Sequence, residues 1–139
     1  MRAYILGGLI LCGIAAGTAS MAAHHSFTAE FDGNKKVTMT GIVTKVEWTN
    51  PHVWFYINVK DEKTGEVANW GAEMGPPHGL QRRGWRRETL KIGDQVTVAG
   101  SLAKNGSKRM NASTVTLTKT GGRPGEQLDA ASSQGGNVD

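Results

Sequence analysis

The sequence has a single cysteine, Cys12, and this residue lies in an apolar segment close to the N-terminus. If that segment is removed on export, the mature chain has no disulfide, no thiolate metal ligand and no cysteine nucleophile. A small exported protein without disulfides must be held together by its hydrophobic core. This is more typical of a bacterial periplasmic protein than of an extracellular toxin or growth factor.

Sequence motifs of common enzyme classes are also missing. The chain has no serine in a nucleophile elbow, no zincin helix and no phosphate-cradling glycine loop. The sequence has acidic and histidine side chains of the types used in acid/base pairs, but their spacing favours no pair over another: Glu47, Glu73, Asp94, His52 and His78. The net charge of +4 is too small to indicate a nucleic-acid-binding protein. We therefore expect a binding module and not an enzyme.

The one long apolar run lies at the N-terminus and is typical of a secretory signal. Arg2 supplies a positive charge, residues 4–14 are apolar, and Ser20 and Ala22 provide the small residues that signal peptidase recognises. The run is too short to span a bilayer comfortably, although an uncleaved anchor is the alternative. We predict a cleaved signal peptide over residues 1–22, a periplasmic location and no transmembrane segment after cleavage.

The stretch from Val43 to Val59 organises the rest of the chain. Apolar and polar residues alternate after Pro51, which is typical of a half-buried strand, and Pro51 favours a tight turn between this strand and the one before it. In the preceding strand the apolar set changes phase after Val43, which predicts a β-bulge. Further strands are predicted at 66–74, 95–102 and 110–118, with a short helix at 78–83.

This order of elements predicts a mainly β fold, a small five-stranded OB-like Greek-key barrel with one short helix between strands 3 and 4. The barrel is expected over residues 36–119, after an N-terminal arm at 23–35 and before a disordered tail at 120–139 that is rich in glycine and polar residues. A small β-sandwich is the alternative fold.

Three groups of residues resemble an uncharacterised family of exported bacterial proteins, known as a domain of unknown function. They are Ala23-His-His-Ser-Phe27, Val46-Glu-Trp-Thr-Asn-Pro-His52, and Arg82-Arg-Gly-Trp85 with Leu90-Lys-Ile-Gly-Asp94. The resemblance extends to about Leu117. It implies an exported OB-like domain with a signal peptide, and it implies no activity or catalytic residue.

Two groups of side chains are candidates for binding an unknown periplasmic ligand or protein. Aromatic residues on and beside strand 2 can stack on sugar rings or bases: Trp48, Trp54, Tyr56 and Trp70, with His52 at the rim. Alternatively, they pack beneath Phe27 and Phe31 of the arm. A basic cluster can bind an anionic glycan, a lipid or an acidic partner, or simply be solvated: Arg82, Arg83, Trp85 and Arg86. Nucleic acid does not fit an exported protein.

A copper site at the mature N-terminus is the alternative function. Cleavage near residue 22 would leave His24 and His25 beside a free amine, and amine, amide and imidazole nitrogens suit square-planar Cu²⁺. His52 and His78 are the other histidines available to complete such a site. The alternative is that His24 and His25 bind no metal. The sequence establishes no cofactor, and copper is the candidate.

Overall fold

The computed structural model describes residues 27–119 and 127–131. A helical turn at residues 27–30 leads into a six-stranded sheet and one short helix. The elements are β1 Phe31–Glu47, β2 Trp54–Lys60, β3 Val67–Glu73, α1 Pro77–Arg82, β4 Gln95–Ala103, β5 Arg109–Lys119 and β6 Gln127–Asp129. Within the described residues, no helix has the length and apolarity needed to cross a membrane. The predicted signal peptide lies outside these residues.

The first five strands form a closed barrel. β1 pairs with β2 on one side and with β4 on the other, β2 pairs with β3, and β4 pairs with β5, all antiparallel. A short parallel pairing of β3 with β5, from Gly71 with Arg109 to Glu73 with Asn111, closes the sheet on itself. With α1 between β3 and β4, this is the predicted OB-like barrel, and the fold prediction is confirmed.

The phase change in β1 is a β-bulge, as predicted. The register against β2 slips between Val43 and Lys45, so the inward face of the strand passes from Val43 to Val46. Gly41 lies just before the slip, where a Cβ atom would be 2.6 Å from the carbonyl oxygen of Asn58. The bulge lets one 17-residue strand take part in both sides of the barrel.

The core is lined by alternate residues of the strands and is closed at one end by α1 and the segment after it. Val53, Phe55 and Ile57 are fully buried, as their alternation predicts. Leu80 of α1 and Trp85 also belong to this core. The indole Nε1 of Trp85 donates a hydrogen bond of 2.8 Å to the carbonyl oxygen of Asp129.

The boundaries at the N-terminal side of the barrel differ from the prediction. β1 begins at Phe31 and not near residue 36, because Phe31 pairs with Ala103 and is buried. Residues 48–53 connect β1 to β2, so the turn around the cis Asn50-Pro51 peptide is wider than a tight hairpin. Both phenylalanines of the expected arm, Phe27 and Phe31, are docked on the barrel.

The prediction of a disordered tail over 120–139 needs correction at residues 127–131. β6 pairs with β5 from Thr114 to Thr116, and the side chain of Ala130 is fully buried. The amide of Gly75 donates to the carbonyl oxygen of Ala130. Because the tail as a whole is polar, its composition does not indicate this short strand. Backbone hydrogen bonds and one small buried side chain are enough to bind the segment to the barrel.

Candidate functional site

The outer face of β2, β3 and β5 forms an open groove of about 530 Å³, which we call the aromatic groove. Trp54 and Tyr56 point away from the core because they alternate with Val53, Phe55 and Ile57. The groove is lined by Glu47, Trp54, Tyr56, Asn69, Gly71, Lys108 and Arg109. These residues come from β1, β2, β3 and the start of β5, so the closed barrel is what brings them together.

Gly71 forms the floor of the aromatic groove. It is opposite Tyr56 in the β2–β3 register. A Cβ atom at this position would lie 3.2 Å from Cε1 of Tyr56 and 3.6 Å from Cζ3 of Trp54. The missing side chain therefore keeps the space between the two rings open, and a flat ligand has access to both.

Charged groups fix the two rings in place. The guanidinium carbon of Arg109 lies 4.5 Å from the ring centroid of Trp54, in a cation–π contact. The hydroxyl of Tyr56 donates a 3.1 Å hydrogen bond to Oε2 of Glu47, and Glu47 is also ion-paired with Lys45. The hydrogen bond from Lys45 lowers the pKa of Glu47, so this carboxylate is a stable acceptor for the phenol. Burial raises the pKa of Tyr56, as does the bond to Glu47.

A buried polar cluster of Glu73, His52 and Asn111 lies beside Trp54, and we call it the Glu73 cluster. Glu73 is opposite Trp54 on β2 and opposite Asn111 on β5, yet it is only 6% exposed. Its Oε1 lies 3.3 Å from Nδ1 of His52 and accepts a 3.3 Å hydrogen bond from Nδ2 of Asn111. The pKa of Glu73 is raised to about 7, mainly by burial and also by the nearby charge of Glu30, while Arg109 and the hydrogen bond from Asn111 act in the opposite direction.

The helical turn at 27–30 covers this end of the groove. The rings of Phe27 and Phe31 stack at 5.8 Å, and Trp54 packs against this pair. The amide of Lys104 donates to the carbonyl oxygen of Glu30. Trp54 thus packs against the N-terminal turn and also lines the groove, so both interpretations of the aromatic residues apply to this ring.

The other predicted aromatic residues lie elsewhere. Trp48 and Trp70 are half-buried and pack against the main core. Trp85, which we predicted as part of the binding face, is 1% exposed and bonded to Asp129. An indole so deeply buried presents no surface to a ligand, so Trp85 is a core residue and the prediction that places it on the binding face needs correction.

The predicted basic cluster is exposed on and after α1. Arg83 bonds to the carbonyl oxygen of Gly79 and lies 3.3 Å from a carboxylate oxygen of Asp129. Arg86 donates to the carbonyl oxygen of Trp85, and Arg82 is the last residue of α1. None of these arginines lines the aromatic groove. The positive charge of the groove comes instead from Lys108 and Arg109.

The histidines do not form a metal centre in the part of the chain that the structure describes. His24 and His25 lie outside the described residues. His52 is next to Glu73, whereas His78 is exposed on α1. Over residues 27–119 and 127–131, no group of three or more His, Cys, Asp or Glu side chains is placed to hold a metal ion.

Sequence reasoning missed the residues that complete the groove and the cluster. Gly71 has no sequence signal of its own, and Lys108 and Arg109 lie between the predicted strands 95–102 and 110–118, where the sequence predicts no binding residue. Asn111 lies within the last of these strands, and nothing in the local pattern predicts a role for it. Once β3 is paired in parallel with β5, Gly71 and Glu73 become neighbours of Arg109 and Asn111. That pairing is the signal that the sequence analysis lacked.

Comparison with known proteins gives a family and a fold. A family model described as "Family of unknown function (DUF6152)" matches residues 12–112. A search of curated proteins found no match. Among solved structures, the barrel is similar to the mitochondrial single-stranded DNA-binding protein Rim1 from S. cerevisiae, with a TM-score of 0.50 and 14% sequence identity. The match covers 63% of this chain and 96% of the Rim1 chain.

Proposed function

The chain belongs to the family of unknown function DUF6152, and we propose that it is an exported, non-enzymatic module that binds an acidic oligosaccharide in the aromatic groove. The observation that supports this proposal is the position of Trp54 and Tyr56 on either side of Gly71, in an open groove with Lys108 and Arg109.

The groove lies where OB-folds bind extended ligands. In this fold the face of strands 2 and 3, with the adjoining loops, takes oligonucleotides or oligosaccharides. A sugar ring has a flat face of C–H groups that packs on the electron-rich face of an aromatic ring. Tyr56 and the part of the Trp54 ring that Arg109 leaves uncovered offer such surfaces, with Gly71 between them.

The charges of the groove favour an acidic sugar over a neutral one. Arg109 and Lys108 are exposed at the groove, whereas its one carboxylate, Glu47, is already bound by Lys45 and by the hydroxyl of Tyr56. A guanidinium donates short hydrogen bonds to a carboxylate or phosphate oxygen. The signal-like N-terminus supports an exported protein, which would meet the acidic polymers of the cell envelope and not nucleic acid.

Isothermal titration with oligogalacturonate tests the proposal. The expected result is saturable binding by the wild-type protein and a loss of about tenfold in affinity for Gly71→Ala, since a methyl group there displaces the ring of Tyr56. Gly79→Ala is the matched control, because its Cβ would make only ordinary contacts in α1.

Other ligands serve as competing probes. Vesicles of anionic lipid and an oligothymidylate are titrated under the same conditions. The similar barrel of Rim1 belongs to a single-stranded DNA-binding protein, so DNA is the pertinent competitor. Tight binding of oligothymidylate with a steep salt dependence, and no binding of oligogalacturonate, would overturn the proposal. N-terminal sequencing of protein from the periplasmic fraction tests export.

A further inference from the structure

The position of Arg109 suggests a more specific role than general attraction. It is the first residue of β5, directly after the β4–β5 turn, and it pairs with Gly71 at the floor of the groove. Its guanidinium stacks on Trp54, which leaves the N–H edge of the group available to a ligand. A sugar that stacks in the groove would thus place its acidic substituent beside this edge.

Arg109 also borders the Glu73 cluster. Along β5, Arg109 and Asn111 are two residues apart, so they lie on the same face of the strand. Asn111 bonds to Glu73, and the charge of Arg109 acts on the same carboxyl. Arg109 therefore lies between two possible acidic partners, Glu73 on the barrel and the acidic group of a ligand.

Building on the proposed function, we propose that Arg109 selects acidic ligands and that the buried carboxyl of Glu73 competes with the ligand for it. When Glu73 is neutral, Arg109 is available to the groove. When Glu73 is ionised, it attracts Arg109 and adds a negative charge beside the ligand. Both effects weaken the binding of an acidic sugar, and neither affects a neutral sugar of the same shape.

The groups around Glu73 determine the pH at which its carboxyl ionises and the affinity for an acidic sugar falls. Glu30 of the N-terminal turn opposes ionisation, whereas Arg109 and Asn111 of β5 favour it. His52 of the β1–β2 connection lies 3.3 Å from the carboxyl. Since the pKa of Glu73 is raised to about 7, the carboxyl changes charge close to neutral pH. The carboxylates of a galacturonate stay ionised above about pH 5, so the ligand does not titrate in the same range.

The test compares oligogalacturonate with its methyl ester, which has the same rings and no charge. Wild-type affinity for oligogalacturonate is expected to fall about tenfold between about pH 5.5 and about pH 8.5, while affinity for the ester stays constant. Glu73→Gln should bind oligogalacturonate equally well at both pH values. Glu30→Gln should move the midpoint of the change to lower pH, an effect that a purely structural role would not produce.

Variants of Arg109 separate selection from simple electrostatics. Arg109→Gln should lose about tenfold in affinity for oligogalacturonate and none for the ester. Arg87→Gln, which removes the same charge from an exposed position after α1, is the control and should bind both ligands as wild type does.

Each failure has a distinct meaning. If neither sugar binds, the proposed function itself is refuted. If both bind with equal affinity at every pH, or if Arg109→Gln still prefers the acid, the groove binds sugars but Arg109 does not select them. If Glu73→Gln keeps the pH dependence of the wild-type protein, the competition between Glu73 and the ligand is refuted.

Discussion

The buried carboxyl of Glu73 predicts a pH dependence of folding stability that does not require any ligand. Its pKa is about 7 in the folded protein, against an ordinary value of 4.5. Below pH 4.5 the carboxyl is neutral in both the folded and the unfolded chain. As the pH rises from 4.5 towards 7, Glu73 ionises in the unfolded chain before it ionises in the folded protein. The free energy of unfolding therefore falls over this pH range and does not recover above it.

The size of the stability change follows from the difference between the folded-state pKa of Glu73 and its ordinary value. One pKa unit corresponds to 1.36 kcal/mol, so the difference between 4.5 and about 7 amounts to about 3 kcal/mol. Glu73→Gln keeps the shape of the side chain and an oxygen that can accept from Asn111, but it cannot ionise. We expect Glu73→Gln to gain up to about 3 kcal/mol relative to wild type between about pH 4.5 and about pH 8.

Urea unfolding of both proteins at a series of pH values measures this difference directly. Glu88→Gln is the matched control, because Glu88 is exposed and its replacement should leave the pH dependence unchanged. Comparison with the variant removes the contribution of the other titratable groups, which are the same in both proteins. A constant difference between wild type and Glu73→Gln over this range would refute the reasoning, since it would mean that Glu73 ionises alike in both states.

Three further predictions concern the ends of the chain and the core. Trp85→Phe should lower the free energy of unfolding by about 2 kcal/mol, because it leaves the carbonyl oxygen of Asp129 without its indole donor and opens a small cavity, as urea unfolding would show. Ending the chain at residue 126 should lower the thermal midpoint in calorimetry by several degrees, because β6 and the buried Ala130 are lost. Copper binding at the N-terminus stays a prediction: mature protein with its native terminus should bind about one Cu²⁺, and His24→Ala, His25→Ala should abolish this in a spectroscopic titration.

Much of the fold is already present in the local pattern of the sequence. The alternation from Val53 to Val59 specifies both the strand and its buried face. The change of apolar phase after Val43 specifies the bulge. These features depend on neighbours along the chain, so local reasoning was sufficient to find them.

The candidate site was only partly predictable, because it depends on strands that are distant in sequence. The alternation of β2 identified Trp54 and Tyr56 as outward-facing residues. It did not reveal that Glu73 would be buried on that same outward face, since its partners His52 and Asn111 come from other parts of the chain. Arg109 gains its position from the β3–β5 pairing, which no local pattern encodes.

The β3–β5 pairing has a mechanical consequence. It joins the strands through three residue pairs, whereas β2 and β3 are joined by seven, so the barrel should open first along this seam. The groove lies across this pairing, with Tyr56 and Gly71 on the β2 and β3 side and Arg109 on the β5 side. A bound sugar would contact both strands and so stabilise the β3–β5 pairing against opening. The amide hydrogens of Gly71 and Arg109 should therefore exchange with solvent more slowly in the complex.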